Sequence, residues 1–339
     1  MMDLTTHYLG LKLKHPLITG ASPMVDHMDL VRRLEDAGAA AITMHSLFEE
    51  QLSVERTHTL RQLDQHADAH AEAATYLPKP SEFALGPDQY LEQLRRIKDT
   101  VSVPVIASLN GTTAGGWTGY AKAIEQAGAD ALELNVYMIA TDPTVSGAAV
   151  DQRVVDIATL VRAAVTIPVA VKLSPFYSSV AHLAAELDRV GVNGLVLFNR
   201  FYQPEIDVEM LDVLPQLKLS DSSELLLRVR WLAILAGRLR GSLACSGGVH
   251  TAEDALKAIM AGADAVQLVS VLLKRGPEQL AIIHRELRHW MEVHEYESVS
   301  QMRGSMSLER SPDPAAYERG NYLRLLQTWR PPGPQRAST

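Results

Sequence analysis

Several polar residues stand at the ends of short apolar runs, where a buried strand stops and chemistry can begin. Asn135 closes LELNV. Lys172 lies in VAVKLS, and because it follows Val169 and Val171 it is expected on their side of the strand. A lysine directed into a buried site is costly to desolvate without an anionic partner. One such partner is the N1–C2=O edge of a flavin, which gains negative charge on reduction. A Schiff-base role for the amine is the alternative. In CSGGVHTAEDA, after Ser246, Gly247 and Gly248 let backbone N–H groups approach an anion closely. Thr251 can cap a helix from Ala252 whose N-terminus adds positive partial charge, and Ser270 can donate a further hydrogen bond. That set reads as a phosphate site.

Other residues offer narrower chemistry. His45 titrates in the range of an acid or base catalyst. Tyr137 would need strong tuning to act as a base. Arg200, next to Asn199, can hold a carboxylate or form a surface salt bridge. Cys245 reads as a buried small hydrophobe. His66 and His70 have the spacing of a helical metal pair but no H-E-x-x-H accompanies them, so no metal is expected.

A repeated helix-to-strand joint must position these groups. AGAAAITM from Ala37, AGADALEL from Ala127, VGVNGLVL from Val190 and AGADAVQL from Ala261 each follow a helical pattern. The glycine stops the helix and a short apolar strand follows. Four further runs, PLITGAS, VPVIASLNG, IPVAVKLS and SLACSGGV, bring the strands to eight. They are expected near 16–22, 40–46, 103–109, 131–136, 168–174, 194–199, 243–248 and 265–270. Alternation of strand and helix eight times predicts an α/β fold, a single (β/α)8 barrel with its site at the strand C-termini. A doubly wound sheet would need G-x-G-x-x-G after the first strand, and GTTAGG at 111–116 has neither the spacing nor the place. Residues 4–13 read as a hairpin ahead of the barrel, and 47–86 and 201–222 as long insertions. Asp313-Pro314 is expected to start a helix ending near Trp329. The domains expected are a barrel over 1–306 and a helical extension with a disordered tail over 307–339.

The bulk composition of the 339 residues narrows the partners. The net charge of −8 and the absence of a Lys/Arg block argue against nucleic acid. One cysteine rules out an internal disulfide framework and a Cys-ligated iron–sulfur cluster within the chain. No secretory signal and no membrane-length apolar run is evident, so a cytoplasmic location is expected.

From YLGLKLKHPLITGAS to YESVSQMRGSM, these pieces in this order resemble the dihydroorotate dehydrogenases, FMN-dependent barrel enzymes of pyrimidine synthesis. The resemblance implies FMN contacts from Ala21, Ser22, Ser108, Asn135 and Lys172, with His45 a further candidate. It implies a phosphate clamp from Ser246, Gly247, Gly248, Val269 and Ser270. Asn135 and Asn199 would orient the substrate, with Arg200 beside them. The implied reaction is oxidation of a CH–CH donor by hydride transfer to flavin. The partners implied are a small-molecule substrate, an external electron acceptor or redox protein, and a second copy in a homodimer. The departures fall on the substrate half. Met138 stands at the family's Cys/Ser base, Ala140 at a second asparagine and Met44 at the strand 2 lysine, so the base is unassigned, with His45 and Tyr137 as candidates. Two other readings stay open: a phosphate-binding lyase using Lys172, and a flavoprotein subunit without turnover.

Overall fold

The computed structural model describes residues 2–48, 86–111, 117–200, 203–214, 217–328 and 330. A hairpin of β1 (Thr6–Tyr8) and β2 (Leu11–Leu13) precedes β3 (Leu17–Thr19), α1 (Met28–Asp36), β4 (Ile42–Phe48), α2 (Pro87–Thr100), β5 (Val105–Gly111), α3 (Trp117–Gln126) and β6 (Ala131–Val136). Then come α4 (Gly147–Ala164), β7 (Val169–Leu173), α5 (Val180–Arg189), β8 (Gly194–Leu197), and a second hairpin, β9 (Glu205–Asp207) with β10 (Asp212–Leu214). The chain continues through α6 (Leu225–Leu235), β11 (Ser242–Ser246), α7 (Ala252–Ala261), β12 (Ala265–Leu268), α8 (Ser270–Arg275), α9 (Gln279–Val293), α10 (Val299–Met302) and α11 (Gly320–Thr328).

Strands β3–β8, β11 and β12 close into a parallel barrel in the order β11-β12-β3-β4-β5-β6-β7-β8. All eight expected barrel strands form. The joints work as their sequence predicts: Gly38, Gly128, Gly191 and Gly262 take φ between 89° and 128°, which an L side chain resists, and each ends a helix just before a strand. Among the described residues, no helix is long and apolar enough to cross a membrane.

Two apolar clusters build the core. The larger lies between strands and helices and takes Leu132, Leu134, Val169 and Val171. The smaller fills the barrel's lower interior with Ile18, Ala41, Ile106, Ala131, Ala170, Ala244 and Ala265, plugged by Tyr8, Leu9 and Leu13 of the first hairpin. Small interior residues leave room for that plug. Side chains alternate along a strand with period two, so Lys172 shares the side of Ala170 and not of Val169 and Val171. The expectation from the valines is therefore corrected: they pack under helices, while Lys172 faces the barrel interior.

The first insertion's residues 49–85, with His66 and His70, lie outside the described residues, as do 112–116 of GTTAGG. The second insertion carries the β9–β10 hairpin. Asp313-Pro314 opens only a 3-10 turn, Pro314–Tyr317, and the α-helix begins at Gly320.

Candidate active site

Two residues above the tier of the barrel's lower interior, six of the eight strands turn polar. Ala41, Ile106, Ala131, Ala170, Ala244 and Ala265 are followed, at i+2, by Thr43, Ser108, Glu133, Lys172, Ser246 and Gln267, all buried. At this level Lys172 Nζ lies 3.0 Å from Glu133 Oε1 and donates to Gln267 Oε1 at 3.4 Å. Gln267 Nε2 donates to Glu133 Oε2 at 2.5 Å. Lys172 is 7% exposed and Glu133 and Gln267 are 1% exposed. The three close a ring in which each buried charge has its counter-charge and a neutral amide bridges them, as burial of ions requires. Sequence reading missed Glu133 and Gln267. The signal was available: Glu133 alternates with Leu132 and Leu134, and Gln267 with Val266 and Leu268.

The next level up is the mouth. Asn135 pairs in register with Lys172 across β6 and β7, and Asn199 Nδ2 donates to Asn135 Oδ1 at 3.0 Å. The two amides use one donor and one acceptor on each other. The Asn135 amide N–H groups and the Asn199 oxygen keep capacity for a ligand. Ser108 is fixed from outside by Tyr90, whose hydroxyl accepts from Ser108 N at 2.9 Å and donates to Ser108 O at 3.1 Å. Its own Oγ lies 2.8 Å from Ser46 Oγ. Thr43 Oγ1 is buried with no hydrogen-bond partner among the described residues, a cost the protein bears unless a ligand satisfies it.

His45 sits in the middle of β4, within a register shift between Thr43 and Ser46. Its Nδ1 lies 2.7 Å from Asp26 Oδ1, and its ring stands edge-on to Tyr90. Burial pushes the His45 pKa below its ordinary value, against the upward pull of Asp26, so the ring is neutral at neutral pH. Asp26 comes from the 3-10 turn Pro23–Asp26, which directly follows Ala21 and Ser22. Tyr137 is half-buried just past β6, with its N–H on Asn135 O. Met138 Sδ accepts from Arg153 Nη1 at 3.3 Å.

The glycine turn lies across the barrel rim. Gly247 and Gly248 have φ of 88° and 81°. A Cβ on Gly248 would come within 2.6 Å of Leu225 N, so no side chain fits. Gly248 N and Ser270 Oγ converge on one hydroxyl: Gly248 N donates to Ser220 Oγ at 3.3 Å, and Ser220 Oγ donates to Ser270 Oγ at 2.8 Å. Lys274 Nζ donates to Ser220 O at 2.9 Å. Val269 packs its Cγ2 against the open face of Gly20. Ser220 and Lys274 were not foreseen, because the segment containing Ser220 carries no motif.

Thr251 caps α7 as expected, accepting from Asp254 N. Asp254 Oδ2 returns the favour, accepting from Thr251 N, His250 N and Ser222 Oγ at 2.7–3.1 Å. This helix end therefore carries its own carboxylate. The helix end expected to add positive charge at an anion site thus accepts a carboxylate of its own chain, while Gly248 N, Ser220 Oγ and Ser270 Oγ meet at the neighbouring turn.

Arg200 pairs with Glu224 at 2.9 Å. With Asn199, Phe176, Lys218 and the buried Arg228 it lines a cavity of about 530 Å³ that opens beside the asparagine pair. Arg228 donates to Ser246 O at 2.7 Å and Glu224 O at 2.6 Å, tying β11 to α6. Burial pushes the Cys245 thiol up to about 12, despite Arg228, which fits a packing role.

The structure thus places Lys172 and Ser108 in the polar tier and Asn135 with Asn199 at the mouth above it. It gathers Gly248, Val269 and Ser270 at the rim, and turns Arg200 toward the adjoining cavity.

The family model "Dihydroorotate dehydrogenase" matches residues 83–291. The catalytic subunit of dihydroorotate dehydrogenase B (NAD(+)) of Thermoplasma acidophilum is 26% identical over 312 residues, 90% of this chain and 99% of that protein. The corresponding subunit of Citrifermentans bemidjiense is 30% identical over 239 residues, 66% of this chain and 75% of its own. A putative dihydroorotate dehydrogenase A (fumarate) of Aeropyrum pernix is 28% identical over 221 residues, 63% of this chain and 71% of that protein. The matched span contains β5–β12, and with them most of the polar tier, the asparagine pair and the glycine turn: the chain belongs to the dihydroorotate dehydrogenase family.

Proposed function

We propose that this barrel is an FMN-dependent oxidoreductase acting on the CH–CH bond of dihydroorotate or a related small anion. The observation that carries the proposal is the lysine-centred polar tier capped by the Asn135–Asn199 pair. Residues present fit the cofactor: Thr43 Oγ1 lacks a partner in the tier, and Gly248 N, Ser220 and Ser270 converge as a phosphate seat would require. FMN bound there supplies the hydride acceptor. Lys172 supplies positive charge at the mouth, and Glu133 and Gln267 fix where that charge sits. Asn135 and Asn199 orient a planar substrate through their unused amide groups. Arg200 and Lys218 give the adjoining cavity charge for a carboxylate. His45 is the group able to take a proton: Asp26 engages Nδ1, and among the described residues no hydrogen bond reaches Nε2. Neither Met44 nor Met138 can do so.

The Lys172 amine is engaged by Glu133 and Gln267, which weighs against Schiff-base chemistry there. An electron acceptor or redox protein outside the chain completes the cycle. Cytoplasmic residence, a role in pyrimidine metabolism, and a barrel over 1–306 with an extension over 307–339 complete this reading.

The test begins with the visible spectrum of the purified protein and the mass of any released cofactor. Stoichiometric FMN, bleached by dihydroorotate without oxygen, is the expected result. FMN that dihydroorotate leaves oxidised would direct the search to another substrate or a subunit without turnover. A protein that stays colourless after incubation with FMN would overturn the flavin reading.

A further inference from the structure

Charge at the barrel mouth is divided between two opposite sides. In the ring order of the closed barrel, β4 and β8 stand four strands apart and so face each other across the mouth. The β4 side carries His45 with the Asp26 carboxylate. The β8 side opens into the cavity of about 530 Å³, where Arg200, Lys218 and Arg228 stand against Glu205 and Glu224.

One of these cations lacks what a buried charge requires. Arg228 is 6% exposed, and a charge out of water is costly without a counter-ion. Arg200 has its counter-ion in Glu224. Among the described residues Arg228 has none: Nε donates to Ser246 O and Nη1 to Glu224 O, both backbone carbonyls. A guanidinium carries five N–H groups, so part of the fork is left over where the side chain borders the cavity. If Arg228 only tied α6 to β11, a neutral amide donor would do so at a smaller desolvation cost. What the charge adds is attraction for an anion in the cavity. Lys218 lines the same cavity, is exposed, and has no ion-pair partner among the described residues. The volume lies in the range of small-molecule pockets. Asn199 belongs both to this cavity and to the asparagine pair, so a ligand held by those amides can place one end beside Arg228.

We propose that Arg228 and Lys218 form the carboxylate subsite of the substrate. The substrate is then an organic acid that lies across the mouth in one direction: its carboxylate points to the β8 side, and the C–H that gives up its proton faces His45 on the β4 side. Arg200, balanced by Glu224, contributes donors but little net charge. This assignment rests on the reading of Asn135 and Asn199 as the groups that hold the substrate, and it supplies a cation for the acid where Met44 on β4 supplies none.

Isothermal titration of the full chain with orotate and with uracil, the same ring without the carboxylate, tests it. Orotate is expected to bind about tenfold or more tighter than uracil, the scale of hydrogen bonds to a charged group. Arg228→Gln and Lys218→Gln should each remove most of that preference and leave uracil binding unchanged. Arg228→Lys keeps the charge without the fork and should retain part of it. Lys218 is exposed, so its variant reads the subsite without disturbing the α6–β11 tie. Orotate binding no tighter than uracil would overturn the proposal, as would a preference that survives both glutamine variants. A Cβ on Gly247 would lie 2.9 Å from Arg228 Nη2, so the same variants are titrated with FMN and riboflavin. A loss confined to FMN would give the guanidinium to the cofactor's phosphate and overturn the assignment. The subsite and the flavin reading fail separately. A colourless protein that still prefers orotate keeps the subsite and loses the flavin chemistry; a flavoprotein without the preference keeps the flavin and loses the subsite.

Discussion

Replacing Glu133 with leucine probes the centre of the barrel directly. In the wild type, two opposite charges lie 3.0 Å apart in a nearly solvent-free tier. At an effective dielectric of about 20, that pair attracts by roughly 5–6 kcal/mol. The desolvation of both ions offsets much of this, so the intact pair contributes little net stability. Removing one member is different. Among the described residues Lys172 would keep only the 3.4 Å contact to Gln267 Oε1, while its charge stayed buried. The expected loss is about 3–5 kcal/mol, the range for a buried pair broken on one side. Glu133→Leu combined with Lys172→Met removes both charges and should recover most of that loss. Urea denaturation of the three proteins at one pH measures it. If the single and double variants lost the same stability, the cost would be packing and not an uncompensated charge, and the electrostatic account of the tier would be wrong. A single variant within about 1 kcal/mol of wild type would also refute it, because so small a loss is typical of a solvated pair.

Three further predictions follow from other parts of the molecule. His15 is buried between Gly38 O and Leu17 N, stacked on His284, and burial pushes its pKa down to about 3. The unfolded chain therefore binds this proton first, so stability should fall as pH drops from about 6.5 toward 3. The loss at pH 5 is about 2 kcal/mol, and His15→Gln should flatten the urea midpoint between pH 7 and 5. Gly248→Ala forces a side chain at φ 81° into Leu225 N, and should weaken FMN binding about tenfold or more; fluorescence titration with FMN against riboflavin checks that the loss lies at the phosphate. His45→Asn should lower kcat by about 10²–10⁴ with FMN still bound. In the wild type, the rate should fall on the acid side below the ordinary histidine pKa, where burial has moved His45. Asp26→Asn removes the group that raises that pKa, so the acid limb should move to lower pH.

The strand order, the joints and the polar strand ends were legible in the sequence because they rest on local rules. A glycine after a helical turn stops the helix wherever it occurs, and eight such alternations leave few architectures. The same locality made Gly247-Gly248 and Thr251 readable as a turn and a cap. The error over Lys172 was also local: its nearest valines lie at odd spacing, and only the period-two neighbour Ala170 shows its side. What tertiary structure decided are the meetings of distant residues. Glu133 and Lys172 are 39 positions apart, and Gln267 is 134 from Glu133. Asn135 finds Asn199 only because β6, β7 and β8 are adjacent in the closed barrel. Ser220 reaches Gly248 and Ser270, and Asp26 reaches His45, through loops whose sequences carry no periodicity. A strand's sequence says which groups face inward, because alternation is a property of one chain segment. Which inward groups touch depends on barrel closure and register, and those are set by all eight strands together.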